Sequence, residues 1–330
     1  MKRSSHLAAG ATLAASALVL AACGNGDGGG DDGGDGAQDS YSIGITQIVS
    51  HPSLDAAREG FKAALADAGL EVTYDEQNAQ GDQATATSIA TTFASADHDL
   101  ILAVATPTAQ ATAQAITDVP ILITAVTDPL EAGLVDSWEA PGGNLTGTSD
   151  LNPVEEQLGL IQDLAPDAQS VGIVYSSGEV NSEIQVALAQ EAAEALGLTV
   201  EVATVTNSGE VQQAADSLDV DAYYVPTDNT VVSALESLLQ VAESRSVPVI
   251  AAEGDSVERG ALATYGLDYT ELGYQTGEMA VQILTEGADP AQMPIETQTE
   301  LSLVINTAAA ERMGVEVPAE LLESADTVVE

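Results

Sequence analysis

The 330-residue sequence is poor in cysteine, histidine, basic side chains and aromatic rings. One cysteine, Cys23, rules out an intramolecular disulfide and any cysteine-built metal centre. Three histidines, His6, His51 and His98, supply little for metal or triad chemistry, and His6 lies in an N-terminal leader. Seven lysines and arginines stand against 52 aspartates and glutamates. Phosphate contacts need a basic surface, so nucleic acid is excluded as a partner, and anionic lipid attracts such a chain poorly. The acidity resembles adaptation to concentrated salt, where self-repulsion is screened, but an ordinary acidic surface has the same composition. No Gly-x-Gly-x-x-Gly follows the first strand, and neither a phosphate-loop Gly-Lys-Ser/Thr nor a Gly-x-Ser-x-Gly elbow occurs. No cofactor and no metal are therefore expected, and an enzyme is disfavoured.

What is present begins with a leader. Lys2 and Arg3 precede a small-apolar run from Leu7 to Leu20, too short and too weakly hydrophobic for a membrane span. Leu20-Ala21-Ala22-Cys23 matches the bacterial lipoprotein signal, in which the cysteine becomes the lipidated first residue of the mature chain. Residues 1–22 are thus expected to be a signal peptide. Residues 23–40 form a Gly/Asp tether that cannot bury a core and repels itself. An EF-hand spacing, which would turn that run into a calcium loop, is missing.

The body is organised around Asp99 to Pro129, DLILAVATPTAQATAQAITDVPILITAVTDP. Two uniformly apolar runs, each ending in polar residues, flank an Ala-rich helical stretch, the pattern of a βαβ unit in a parallel sheet covered on both faces. Asp221 to Ser256 repeats the pattern roughly 120 residues later, with Val225-Pro226-Thr227 answering Thr106-Pro107-Thr108. Ser42–Thr46 and Ser170–Tyr175 open the two halves as matching strands. The fold class that follows is α/β, two doubly wound Rossmann-like lobes joined by a hinge. The first lobe is expected over residues 41–150 plus about 268–298, the second over 151–267 plus about 299–330. The Thr/Gly-rich stretch Gly142 to Asp150 reads as a hinge crossing, and a helix from Tyr269 to Glu286 as a return to the first lobe, three crossings in all.

Ligands of doubly wound sheets sit beyond the carboxyl ends of the strands. There the sequence collects Gln47, Ser50 and His51; Thr106 and Thr108; Thr127 and Asp128; Ser176, Glu179, Asn181 and Ser182; Thr227, Asp228 and Asn229; Glu253; and Asp268. Hydroxyls and a helix start at Thr106-Pro107-Thr108 suit a carboxylate, and Asp128, Asp228, Glu253 or Asp268 an ammonium. Each residue is equally at home as a cap or a turn.

The stretches QIVSHPSLDAAREGF, NAQGDQATA, LAVATPTAQA, TAVTDP, GGNLTGTSD, YVPTDNTVVSA and GALATYGLDYTELGYQTG, with the lipoprotein leader, resemble the ABC transporter substrate-binding proteins of the group that includes tryptophan and tyrosine importers. The resemblance runs from Tyr41 to about Pro318. It implies a type I periplasmic-binding fold whose two lobes close on a small ligand, delivered to a permease and its ATPase; an amino acid-like ligand, aromatic by preference, is expected, with a different small polar ligand as the alternative. It implies first-lobe contacts from Thr106, Thr108, Thr127 and Asp128, and second-lobe contacts from Ser176, Glu179, Asn181, Asp228, Asn229 and Glu253. Ring stacking would fall to Tyr175, Tyr265 or Tyr269, each as well suited to a core. A monomer anchored by lipid to the outer face of the cytoplasmic membrane is expected. A sensing receptor, a surface lipoprotein with a vestigial cleft and a hydrolase using His51 are the rivals. Replacing Cys23 by Ala is expected to abolish incorporation of labelled fatty acid; a variant that still takes up label would remove the anchor.

Overall fold

The computed structural model describes residues 40–330; the leader, Cys23 and the tether up to residue 39 lie outside the described residues. From Ser40 the chain runs β1 (Ser40–Gln47), α1 (Pro52–Asp67), β2 (Glu71–Asn78), α2 (Gln83–Phe93), β3 (Leu100–Val104), α3 (Thr106–Ala115), β4 (Ile121–Val126) and β5 (Leu145–Ser149). It continues through α4 (Val154–Leu164), β6 (Ser170–Ser176), α5 (Val180–Leu196), β7 (Thr199–Val205), α6 (Val211–Ser217), β8 (Ala222–Val225), α7 (Asn229–Val232), α8 (Leu235–Arg245), β9 (Val249–Ala251), α9 (Gly254–Glu258) and β10 (Ala263–Gly266). It closes with α10 (Tyr269–Val281), β11 (Glu296–Thr297), β12 (Ser302–Asn306), α11 (Thr307–Met313), α12 (Ala319–Ser324) and β13 (Thr327–Val329).

The strands form two sheets. The first is parallel, in the order β11-β5-β4-β3-β1-β2; the second, β13-β12-β10-β9-β8-β6-β7, is parallel except where β10 meets β12. β3 and β4 are buried along their whole length, as their unbroken apolar runs require of strands with helices on both faces. Each sheet has its own hydrophobic core. The two sheets make an α/β body of two lobes, the fold class expected from the repeated βαβ pattern. Strands β5 and β11 belong to the first sheet and β6, β10 and β12 to the second, so the chain passes between lobes after Ser149, after Gly266 and after Thr297.

Some boundaries differ from those the periodicity suggests. The helix opening at Tyr269 stops at Val281 and continues as one π turn, Gln282–Glu286. The helical stretch after Asp228 is broken at Ser233-Ala234 into α7 and α8, because Ala234 leaves helical geometry (φ −125°, ψ 27°).

Helix α10 is what returns to the first lobe, lying against α1 along a stripe of glycines. A Cβ placed on Gly273 would stand 1.8 Å from the Ala57 carbonyl oxygen, and one on Gly60 would stand 2.1 Å from that of Thr270. Neither oxygen belongs to a movable side chain, so the two backbones meet at a distance only glycine permits. Gly273→Ala is expected to lower stability by ~1–3 kcal/mol through overpacking. Gly159→Ala, on α4 with nothing within 4 Å, should be neutral or gain up to ~1 kcal/mol from helix propensity. Thermal unfolding of both variants checks the contrast, and equal melting temperatures would show that the helices can move apart.

Candidate ligand-binding cleft

The order in which the chain adds parallel strands reverses between two neighbours in each sheet, β1 and β3 in the first and β6 and β8 in the second. The loops leaving these four strands carry Ile48–His51, Ala105-Thr106, Ser177–Glu179 and Pro226–Asp228 to the crevice at such a switch point. The first-lobe edge holds three non-glycine residues at positive φ, Gln80 (56°) after β2, Ala105 (79°) after β3 and Ala125 (55°) near the end of β4. Such conformations cost of order 1–3 kcal/mol and concentrate at functional sites. Ala125 falls where the β4–β5 register shifts. Just before the shift, Gly147, paired with Ile123 and at φ 143°, approaches β4 so closely that a Cβ would lie 2.1 Å from the Ile123 carbonyl oxygen. The Thr/Gly content of LTGTS is thus the condition for β5 to pack here.

Between the lobes lie an open cleft of about 340 Å³ and, deeper, a small enclosed cavity of about 10 Å³. Asn229 borders both. Ile48, Val49, Gln83, Pro107, Ser176, Glu179 and Thr230 are among the residues of the open part. His51, Ser53, Ala125, Asp150, Thr227, Glu253 and Tyr269 are among those of the enclosed part. The lobes are joined across the cleft by Ser53 Oγ donating to Glu253 Oε2 (2.9 Å), Gln185 Nε2 donating to Thr127 Oγ1 (3.3 Å) and Gln83 Nε2 donating to the Gly178 carbonyl (2.8 Å).

The residues singled out in the sequence divide into two groups. Some keep unused hydrogen-bonding capacity, and of these His51 lines the smaller cavity. His51 is the residue before α1, yet its side chain makes no capping bond; it is buried, and neither ring nitrogen has a partner. Burial lowers its pKa to about 4, against a smaller opposing influence from Asn229 beside the ring, so the imidazole is neutral at pH 7. Thr106 Oγ1, at the start of α3, and Asn181 Oδ1 are likewise buried without partners. Helix α3 has no side-chain cap, which leaves its first N–H groups without intrahelical acceptors at the strained turn.

The others are committed to holding loops. Gln47 Nε2 donates to the Val49 carbonyl and to Asp55, and its Oε1 accepts from Arg58, so it braces the β1–α1 loop. Thr108 Oγ1 donates to the carbonyls of Val104 and Ala105 beneath the strained turn. Asp128 Oδ1 accepts from the N–H groups of Leu130 and Glu131 and caps a turn, and exposed Asp268 caps α10, outside both parts of the cleft. Glu179 takes the N–H and side-chain amide of Asn229, the Asn181 amide, and the N–H and hydroxyl of Thr230. Asp228 accepts from Ser176 N–H, Ser182 Oγ and Val231 N–H. Burial, reinforced by the nearby Glu179 charge, raises the Asp228 pKa. Glu253 is occupied by Ser53 and Ser256. Thr127 and Thr227 both accept from Gln185, which also receives the Thr227 N–H.

Sequence reasoning passed over Asp150. It ends the TGTSD stretch, directly after β5, and is buried in the enclosed cavity. Its Oδ2 accepts from the Tyr269 hydroxyl at 2.7 Å, while Oδ1 has no partner. Burial pushes its pKa up. The rule that picked out polar residues after β3, β4 and β8 applies equally after β5, but the stretch was assigned wholly to the hinge. Gln185 and Ser53 were also missed, each lying inside a helix whose apolar spacing masks it.

An α/β body of two lobes meeting at a polar cleft is the architecture of a protein that binds a small molecule between its lobes. The chain belongs to the ABC transporter substrate-binding protein family, whose model matches residues 42–329. This is a family of solute-binding proteins, not enzymes, working outside the cytoplasm with an ABC permease; among the described residues no helix is long and apolar enough to cross a membrane. A tyrosine-binding protein of Clostridioides difficile is 44% identical over 297 residues, which are 87% of this chain and 86% of that protein. The structure of an ABC domain from Streptococcus pneumoniae in complex with L-Trp is 37% identical, with a TM-score of 0.85 over 88% of this chain and all of the other. The ligand-free, open structure of a substrate binding protein with adhesive properties from Clostridium difficile is 45% identical over 88% of this chain and 99% of that one, yet its TM-score is 0.66.

His51 also gives a stability expectation. Its folded pKa of about 4 lies below the ordinary 6.5, so its contribution is present above pH 6.5 and lost as pH falls through about 4. The full loss is of order 3 kcal/mol at ~1.4 kcal/mol per unit. Denaturant titrations between pH 8 and pH 4 should show wild type losing stability relative to His51→Gln across that window. A constant difference would mean that the ring titrates normally.

Proposed function

We propose that this protein captures an L-amino acid with an aromatic side chain for an ABC importer, and that lipid on Cys23 tethers it to the outer face of the cytoplasmic membrane. The observation carrying the reading is a pair of unmet demands: one buried carboxylate oxygen in the cleft with no donor, Asp150 Oδ1, and a buried hydroxyl with no partner, Thr106 Oγ1, at the start of the helix whose Pro107 lines the cleft. An α-amino acid presents an ammonium and a carboxylate together and answers both. An ionised Asp150 pairs with the ammonium; the α3 start and Thr106 meet the carboxylate, which is important where the cleft lining contains no lysine or arginine. His51, neutral at pH 7, can donate to the carboxylate without adding charge.

The side chain has an apolar wall from Ile48, Val49 and Pro107 in the open part of the cleft, with Tyr269 in the deeper part as the aromatic ring of the lining. The tyrosine named for one relative and the tryptophan bound in another support an aromatic ligand. Of the other expected contacts, Thr227, Asn229 and Glu253 line the smaller cavity and Ser176 and Glu179 the open part, where Glu179 and Glu253 shape the walls through the loops they hold. Among the acids, the ammonium partner we assign is Asp150 in place of Asp128, because Asp128 caps a turn outside both parts of the cleft while Asp150 lines it.

Calorimetry should find L-tyrosine or L-tryptophan binding well, and tyramine and the amino-acid amide at least about tenfold weaker. Asp150→Asn should lose about 10- to 100-fold, the range for a charge-assisted bond. A hexose or inositol binding more tightly than every amino acid would overturn the ligand class. Undiminished affinity in Asp150→Asn would overturn the role of that residue alone.

A further inference from the structure

Asp150 and Tyr269 are 119 residues apart and sit on different passages between the lobes. Asp150 follows the last strand of the first sheet before the chain leaves for the second, and Tyr269 is the first residue of α10, where the chain comes back. Their hydrogen bond of 2.7 Å is buried at both ends. The other buried tyrosines spend their hydroxyls on neutral acceptors within the second lobe, Tyr223 on the Ala215 carbonyl and Tyr224 on Gln157 Oε1. Tyr269 instead donates to a carboxylate lining the cavity, and it takes only one of the two oxygens. The remaining oxygen keeps no protein partner.

We propose that Tyr269 is a positioning residue, holding the Asp150 carboxylate so that its open oxygen meets the ligand's ammonium, and thereby making charge recognition a property of the hinge. This rests on the amino-acid reading above. Phenol donation favours the ionised carboxylate, which burial opposes, so the tyrosine also keeps Asp150 chargeable at a site that would otherwise protonate it. Other groups face the pair. Thr127, just after β4, lies near Asp150 and favours its charged form without a hydrogen bond to it, Glu253 and His51 line the same cavity, and the charge of Asp255 on α9 reaches Tyr269. Glu253 and Asp255 disfavour a tyrosinate, so the phenol remains the donor throughout the working range. A hydrogen bond between two crossings also fixes the mutual position of those crossings where the ligand's charge is read.

The test is Tyr269→Phe, which removes one oxygen and leaves the ring. The melting temperature should fall by no more than a few degrees. L-tyrosine affinity at pH 7, measured by calorimetry, should fall about tenfold or more. The pH midpoint at which affinity is lost in acid should move upward by about one unit. In the ligand-free protein, carboxyl carbon NMR should show the same upward shift for Asp150. Asp150→Asn combined with Tyr269→Phe should bind no worse than Asp150→Asn alone. An Asp150 titration that does not move, or losses that multiply in the double variant, would overturn the positioning role. If the unmutated protein binds no amino acid, the ligand reading fails, while the ligand-free titration still decides whether Tyr269 holds Asp150.

Discussion

The constraint on which the site depends is the cost of taking a carboxylate out of water. Closing the two strand edges on each other buries Glu179, Asp228, Glu253 and Asp150 with hardly a basic residue at hand. Each must be given donors or remain protonated. Three of them are fully supplied by backbone N–H groups, hydroxyls and amides from the second lobe and the cleft edge. These residues hold the loops after β6, β8 and β9 in place and keep little capacity for anything else. Asp150 is the exception, with one oxygen supplied by the protein and one left to be satisfied from outside.

That division explains why the fold was easier to read than the site. Apolar runs such as Leu100–Val104 and Ile121–Val126 become parallel strands wherever both faces are covered, and the repeated βαβ unit announced two lobes before any contact was known. The helix after Asp228 was legible as one segment but not as two, since its break at Ala234 is a backbone event in an apolar pattern. The return of α10 was expected, whereas the glycine spacing that seats it on α1 becomes meaningful only once its neighbour is known.

For the site, composition at strand ends located the cleft but could not divide its polar residues by task. Thr106 and Thr108 stand two apart in one motif, and one hydroxyl is free while the other bonds back to the β3–α3 turn. Asp128 and Asp150 both follow first-sheet strands, and one closes a local turn while the other reaches Tyr269 across 119 residues. Local chemistry is the same within each pair; burial and the identity of a distant donor separate them, and neither is encoded in nearby sequence.

The glycine-seated helix also constrains the order in which the molecule is assembled. The first lobe's core includes Tyr269, Leu272, Met279 and Ala280, so β1 to β5 cannot complete their packing until the chain has gone out through the second sheet and returned. A ribosome delivers the second lobe's strands while the first still lacks one of its covering helices. Closing so long a loop carries an entropic cost that grows only slowly with length, but it cannot be met before the excursion itself is ordered. Folding of the first half therefore waits on the second, and the surface of α1 that will receive α10 is the one most exposed to wrong partners in the interval.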